Sequence, residues 1–198
     1  MSVKETLEEL FQLYGASKVI CDGAKEKVMR GDMSFARRIF PDSSKTERTL
    51  RSRDKRDFID EYFDILKQKI AEHYTLNIIA IFERMVFERI DNTYGEIKNI
   101  VRDEYDKRRS RRDRPAPLYH SATAFVKGKD DIRNLSGARR ILENQISPES
   151  SEELDKIIAH RNWLSHGKRE DVGCDSNLNT EEVYEILIKI LDEIEDNI

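Results

Sequence analysis

Asp54 to Asp91 reads as one long helix, and that element limits the fold of this chain more than any other. Ile59, Tyr62, Phe63, Leu66, Ile70, Tyr74, Ile78, Ile81 and Met85 recur at steps of three and four, which puts them on one stripe of a helix. Past Leu76 the apolar character spreads all round, through Ile78, Ile79, Ala80, Ile81, Phe82, Met85, Val86 and Phe87. A helix of that kind needs neighbours on every side, so it belongs in the middle of a bundle. It does not read as a membrane span, because Glu83 and Arg84 interrupt the run from Leu76 to Phe87 and the run is too short.

The other segments read as helices arranged around this one. Val3 to Tyr14 is a short amphipathic helix rich in Glu rather than an apolar leader. Gly15 to Gly31 is a weaker helical piece, and Asp42 to Arg56 a polar, basic linker. A soft boundary near residue 50 would divide an N-terminal helical arm, 1–50, from a helical domain, 51–198. Asn92 to Gly95 carries turn residues, after which Glu96 to Arg109 resumes as a polar helix. Pro115 and Pro117 mark a loop, and Asp130 to Ile146 is helical again. Ser150 with Glu153, and Asn179 with Glu182, have the spacing of capping boxes. The first opens a helix running to about His166. The second opens a last helix whose buried face is Val183, Leu187, Ile190, Leu191 and Ile194. With 37% charged residues, only 8 Gly and 4 Pro, and no alternating apolar pattern, the fold class is all-α.

The formal charge of -4 conceals strong segregation. Lys98, Arg102, Lys107, Arg108, Arg109, Arg111, Arg112 and Arg114 lie close together, whereas from Asp175 onward only Lys189 opposes the acids. Local patches set an electrostatic footprint, so a polyanion is not excluded as partner. Arg108, Arg109, Arg111 and Arg112 are candidates to guide RNA by counterion release. The interleaved Asp103, Glu104, Asp106 and Asp113 suit a merely solvated segment equally well. Cys21 and Cys174 form no CxxC pattern, and His73, His120 and His160 have no metal-ligand spacing. A reducing, cytoplasmic setting with no metal and no cofactor is expected.

Chemistry concentrates in one place, Ile158 to Arg169. At ~100° per residue, Leu154, Ile157, Ile158 and Leu164 share one side of their helix, and Arg161 occupies its middle. A guanidinium keeps its charge at any ordinary pH, and burying it unpaired costs several kcal/mol. Arg161 therefore needs a carboxylate, an opening to solvent, or a bound anion. Glu83, a carboxylate in an otherwise apolar run, is its best internal partner. Asn162 and His166 are four apart and would stack along the edge of the same stripe, while Trp163 would point the opposite way. Spacing alone leaves a second reading open, in which Arg161 and Glu83 form a structural ion pair and His166 with Gly167 is simply a helix end.

The run Arg161-Asn162-Trp163-Leu164-Ser165-His166, followed by Gly167, resembles the R-x4-6-H motif of the HEPN superfamily (higher eukaryotes and prokaryotes nucleotide-binding domains). The order of a long apolar helix, a late motif helix and a closing helix is similar too, over roughly residues 54 to 198. The resemblance implies an up-down helical bundle with an additional N-terminal segment. It also implies a metal-independent endoribonuclease whose site is composed across a homodimer. On that pattern Arg161 would bind the scissile phosphate, and His166 would act as general acid/base around 2′-hydroxyl attack. Asn162 would orient His166 or hold a phosphate oxygen, and Glu83 would be a supporting carboxylate. The product would be a 2′,3′-cyclic phosphate, and the setting a toxin or phage-defence effector with an antitoxin or regulatory protein as partner. HEPN toxins often have Tyr two residues after the His; here that position is Lys168, which with Arg169 adds positive charge suited to RNA. The same pattern also occurs in non-catalytic modules that bind RNA or protein, and a plain helical interaction protein remains a third reading.

Overall fold

The computed structural model describes residues 2–40, 55–109, 139, 142, 145–168 and 178–196, with the side chains of all of these except 94, 97, 98, 100–109 and 196. The described residues form α-helices and no strand. In chain order the helices are α1 (Val3–Met29), α2 (Met33–Ile39), α3 (Lys55–Arg109), α4 (Pro148–Ser165) and α5 (Thr180–Asp196).

Three of these differ from what local sequence suggests. α1 is one helix rather than two pieces, running through Gly15 and Gly23. Each glycine costs about 1 kcal/mol relative to Ala in a helix interior. The inner stripe of Leu7, Tyr14, Cys21 and Val28 is buried, and burying a large apolar side chain contributes about 1.5–3 kcal/mol, so packing outweighs the local penalty. α3 passes straight through Asn92 to Gly95 and continues to Arg109. Turn-formers without proline weaken a helix but do not stop it. α2, capped by the Asp32 carboxylate on the Phe35 N–H at 3.0 Å, has too few residues to show a period. The soft boundary near residue 50 falls in 41–54, and the proline loop and most of 130–146 also lie outside the described residues.

The chain divides into two compact units. One comprises residues up to Ile78 together with Asn179–Tyr184; the other comprises Ile79–Leu178 and Glu185–Ile198. In the first unit, Ser2 and Glu5 cap α1 reciprocally, at 2.6 and 3.1 Å. α1 runs antiparallel to the start of α3, as successive contacts show: Lys25 pairs with Asp60 at 2.6 Å, Lys67 with Asp22, and Ser17 with Tyr74 at 3.1 Å. Cys21, Val28, Ala36, Phe40, Ile59 and Phe63 form the core under these pairs. At the other end of α1, Phe11 stacks on Tyr184 with ring centroids 4.2 Å apart. There the Thr180 hydroxyl donates to the Ala71 carbonyl at 3.2 Å and bonds the Thr75 hydroxyl at 2.9 Å, so a buried polar pair is satisfied.

In the second unit most of the buried apolar residues come from three helices, with Leu142 and Ile146 joining them from the stretch before α4. The helical ones are Ile79, Phe82, Met85 and Val86 of α3, Leu154 and Ile157 of α4, and Leu187, Ile190, Leu191 and Ile194 of α5. α4 is antiparallel to α5: Ser150 bonds Glu193 near one end, and Glu153 pairs with Lys189 one turn on. Arg89 of α3 reaches Glu195 of α5 at 3.4 Å. Among the described residues no helix is long and apolar enough to cross a membrane.

Candidate functional site

α4 carries the polar cluster, and its start is fixed more firmly than the sequence suggests. The N-cap is Ser147, not Ser150, and Pro148 takes the first helical position, where its missing N–H is no loss. Glu193 of α5 closes this end. Its carboxylate accepts from the Ser147 N–H at 2.7 Å, the Ser147 hydroxyl at 3.0 Å and the Ser150 hydroxyl at 2.7 Å. Desolvation pushes the Glu193 carboxyl up, but these hydrogen bonds outweigh it and hold the group below the usual carboxylate range. The second capping prediction agrees with the structure: the Asn179 and Glu182 side chains and N–H groups bond reciprocally at 2.8 Å.

The other end of α4 is open. The Nη2 of Arg161 lies 3.4 Å from Glu83 Oε2, and its Nη1 donates to Asn162 Oδ1 at 3.2 Å. The two ion-pair partners differ in exposure, with 37% of the Arg161 side chain accessible against 14% for Glu83. The guanidinium is thus held from the α3 side and from its own helix while part of its donor fan faces water. Ser165 returns its hydroxyl to the Arg161 carbonyl at 2.7 Å.

The helix then closes with a Schellman motif. The Lys168 N–H bonds the Trp163 carbonyl at 2.9 Å and the Gly167 N–H bonds the Leu164 carbonyl at 3.2 Å. Gly167 has φ +72°, a conformation that glycine adopts without penalty. Lys168 follows at φ +59°, uncommon for a residue with a Cβ. This turn carries the Lys168 ammonium to 5.2 Å from the centre of the Trp163 ring.

Two histidines define the rest of this end of the helix. His166 is the C-cap, at φ -88° and ψ 13°, and its side chain is exposed. Its backbone N–H bonds the Asn162 carbonyl at 3.0 Å, but among the described residues no hydrogen bond joins the two side chains. Arg161 and Asn162 are joined by a hydrogen bond, and His166 follows one turn later with its side chain exposed. The second is His160, only 3% exposed, with its ring 5.7 Å from that of Trp163. It follows Ile157 by three residues, a spacing that could have marked it as part of the buried stripe. Trp163 is half-buried beside it.

Of the basic residues, Lys168 is described and half-buried over Trp163. Arg108 and Arg109 end α3, with side chains outside the described set, and Arg111, Arg112 and Arg169 lie outside the described residues. No group of three or more His, Cys, Asp or Glu side chains among the described residues could hold a metal ion. Comparison with protein-family models, with curated proteins and with solved structures returns no match.

Proposed function

We propose that the C-terminal end of α4 is the cleavage centre of a metal-independent endoribonuclease of HEPN type. One observation carries this reading: a partly solvent-facing guanidinium, Arg161, is anchored by Glu83 and Asn162 one turn before an exposed histidine, His166. In the proposed reaction the free donors of Arg161 bind a non-bridging oxygen of the scissile phosphate. Glu83 and Asn162 fix the plane of the fork, so little side-chain freedom is lost on binding. His166 takes the proton from the 2′-hydroxyl as that oxygen attacks phosphorus, or returns one to the departing 5′-oxygen. Cleavage leaves a 2′,3′-cyclic phosphate and a 5′-hydroxyl, and DNA is spared for lack of the attacking group. The proposal includes a second copy that completes the site, as the HEPN resemblance implies. Lys168, Arg169 and the arginines from Arg108 to Arg112 would guide the RNA backbone. A toxin or defence role in the cytoplasm, with an antitoxin or regulatory protein as partner, belongs to the same proposal.

A second reading is favoured by the Glu83–Arg161 pair itself, since the guanidinium already has a carboxylate. In that reading the end of α4 belongs to a non-catalytic module that binds RNA or protein. Incubating the protein with RNA in excess chelator separates the two. Cleavage by the wild type that disappears in His166→Ala and Arg161→Ala, with helical circular dichroism retained, supports the nuclease. RNA retention without cleavage supports the module.

A further inference from the structure

The outward side of α1 is as regular as the side that faces its core. Leu13, Val19 and Ile20 are 56%, 71% and 72% exposed, a cost in water that a purely structural arm would not need. Ala16 and Gly23 are exposed between them, and a Cβ added at Gly23 would meet nothing within 4 Å. Glu9, Leu13, Ala16, Ile20, Gly23 and Lys27 follow one another at alternating steps of four and three. That is the seam of a two-stranded coil, lying to one side of the buried row Leu7, Tyr14, Cys21 and Val28.

The order of residues along the seam selects its partner. Glu9 and Lys27 each lie nine residues from Lys18, Leu13 and Gly23 each five, and Ala16 and Ile20 each two. A two-fold axis at the level of Lys18 therefore sets Glu9 against Lys27 of a second copy, Leu13 against Gly23, and Ala16 against Ile20. Every apolar knob meets a small residue, and every charge meets its opposite. Val19, on the flank nearest the axis, meets its own copy. A parallel pair would instead put Glu9 on Glu9, Lys27 on Lys27, and leave a gap at Gly23. Glu9 is exposed, and Lys27 is exposed while lying 5.1 Å over the Phe35 ring.

We propose that the outer face of α1 docks antiparallel on the same face of a second copy of this chain. The contact is isologous, as a two-fold dimer requires. The seam from Glu9 to Lys27 is about 28 Å long at ~1.5 Å per residue, so the pairing is reversible rather than obligate. It uses none of the residues at the end of α4 and holds whether or not those residues cleave RNA.

Sedimentation equilibrium of the full chain across a concentration series tests it. Wild type shows a monomer–dimer equilibrium. Ile20→Glu, at a side chain open to water, weakens it at least about tenfold. Glu9→Lys and Lys27→Glu each weaken it several-fold, and the double swap Glu9→Lys/Lys27→Glu restores the wild-type constant, with circular dichroism confirming the fold in each. Monomer at every concentration overturns the proposal, as does a dimer indifferent to Ile20→Glu. Failure of the double swap to restore association overturns the antiparallel register.

Discussion

The two ends of α4 are built in opposite ways. At its start a single carboxylate, Glu193, receives three hydrogen bonds from Ser147 and Ser150, and Ser150 has no accessible surface. At its end Arg161 has, among the described residues, one long ion pair and one side-chain hydrogen bond besides, His166 is exposed, and Lys168 sits at a positive φ. A closed, fully satisfied polar knot is an arrangement for stability. An end with spare donors, an exposed imidazole and an uncommon backbone geometry leaves groups available to a ligand. The difference teaches that polar residues on one helix can have separate tasks, and that burial with satisfaction tells them apart.

Substitutions can break this contrast. The largest effect is expected at the open end: His166→Ala should lower RNA cleavage by about 10²- to 10⁴-fold, the usual worth of a general acid/base. Its exposed side chain makes no hydrogen bond among the described residues, so urea unfolding should move by under about 0.5 kcal/mol. At the closed end the pattern should invert. Glu193→Ala should cost about 2–4 kcal/mol in urea unfolding, since charge-assisted bonds are lost and the serines are left with fewer partners. RNA cleavage measured where the variant is folded should be little changed.

Acid offers a gentler route to the same end. The Glu193 carboxyl is depressed in the folded protein, so its contribution to stability is fully present above the ordinary carboxylate value and fades as pH falls through the depressed one. Wild type should therefore lose stability on acidification below about pH 4.5 more steeply than Glu193→Gln, as urea midpoints across pH would show. The smallest effect belongs to the turn after the helix. Lys168→Gly should stabilise by up to about 1 kcal/mol, because glycine accepts the positive φ that Lys168 adopts. A thermal melt that falls instead would mean that the Lys168 contact with Trp163 outweighs the backbone conformation.

Much of the helical scaffold was legible because helix periodicity is a local property. The stripe of α3 and the buried face and capping pair of α5 follow from spacing alone. Spacing also brought out Glu83 as the carboxylate for Arg161, since a lone acid in an apolar run needs a cation. Where α4 starts was misread because two serines compete for the cap. Pro148 was the neglected signal, and Glu193, distant in sequence, decides the outcome. His160 has no metal-ligand spacing to single it out, although its step from Ile157 places it in the core.

By itself, then, the sequence determined an all-helical chain, the faces its helices bury, and a cluster of Arg161, Asn162 and His166 near the end of one of them. Tertiary structure decided continuity and company. Packing of the α1 inner stripe carries that helix through Gly15 and Gly23, and α3 continues past Gly95. Only the folded chain shows Arg161 held by Glu83 while His166 is exposed at the cap. The physical reason is one of range. Propensity and periodicity act within a turn or two, whereas the partner of a charge and the exposure of a side chain depend on helices that lie far apart along the chain.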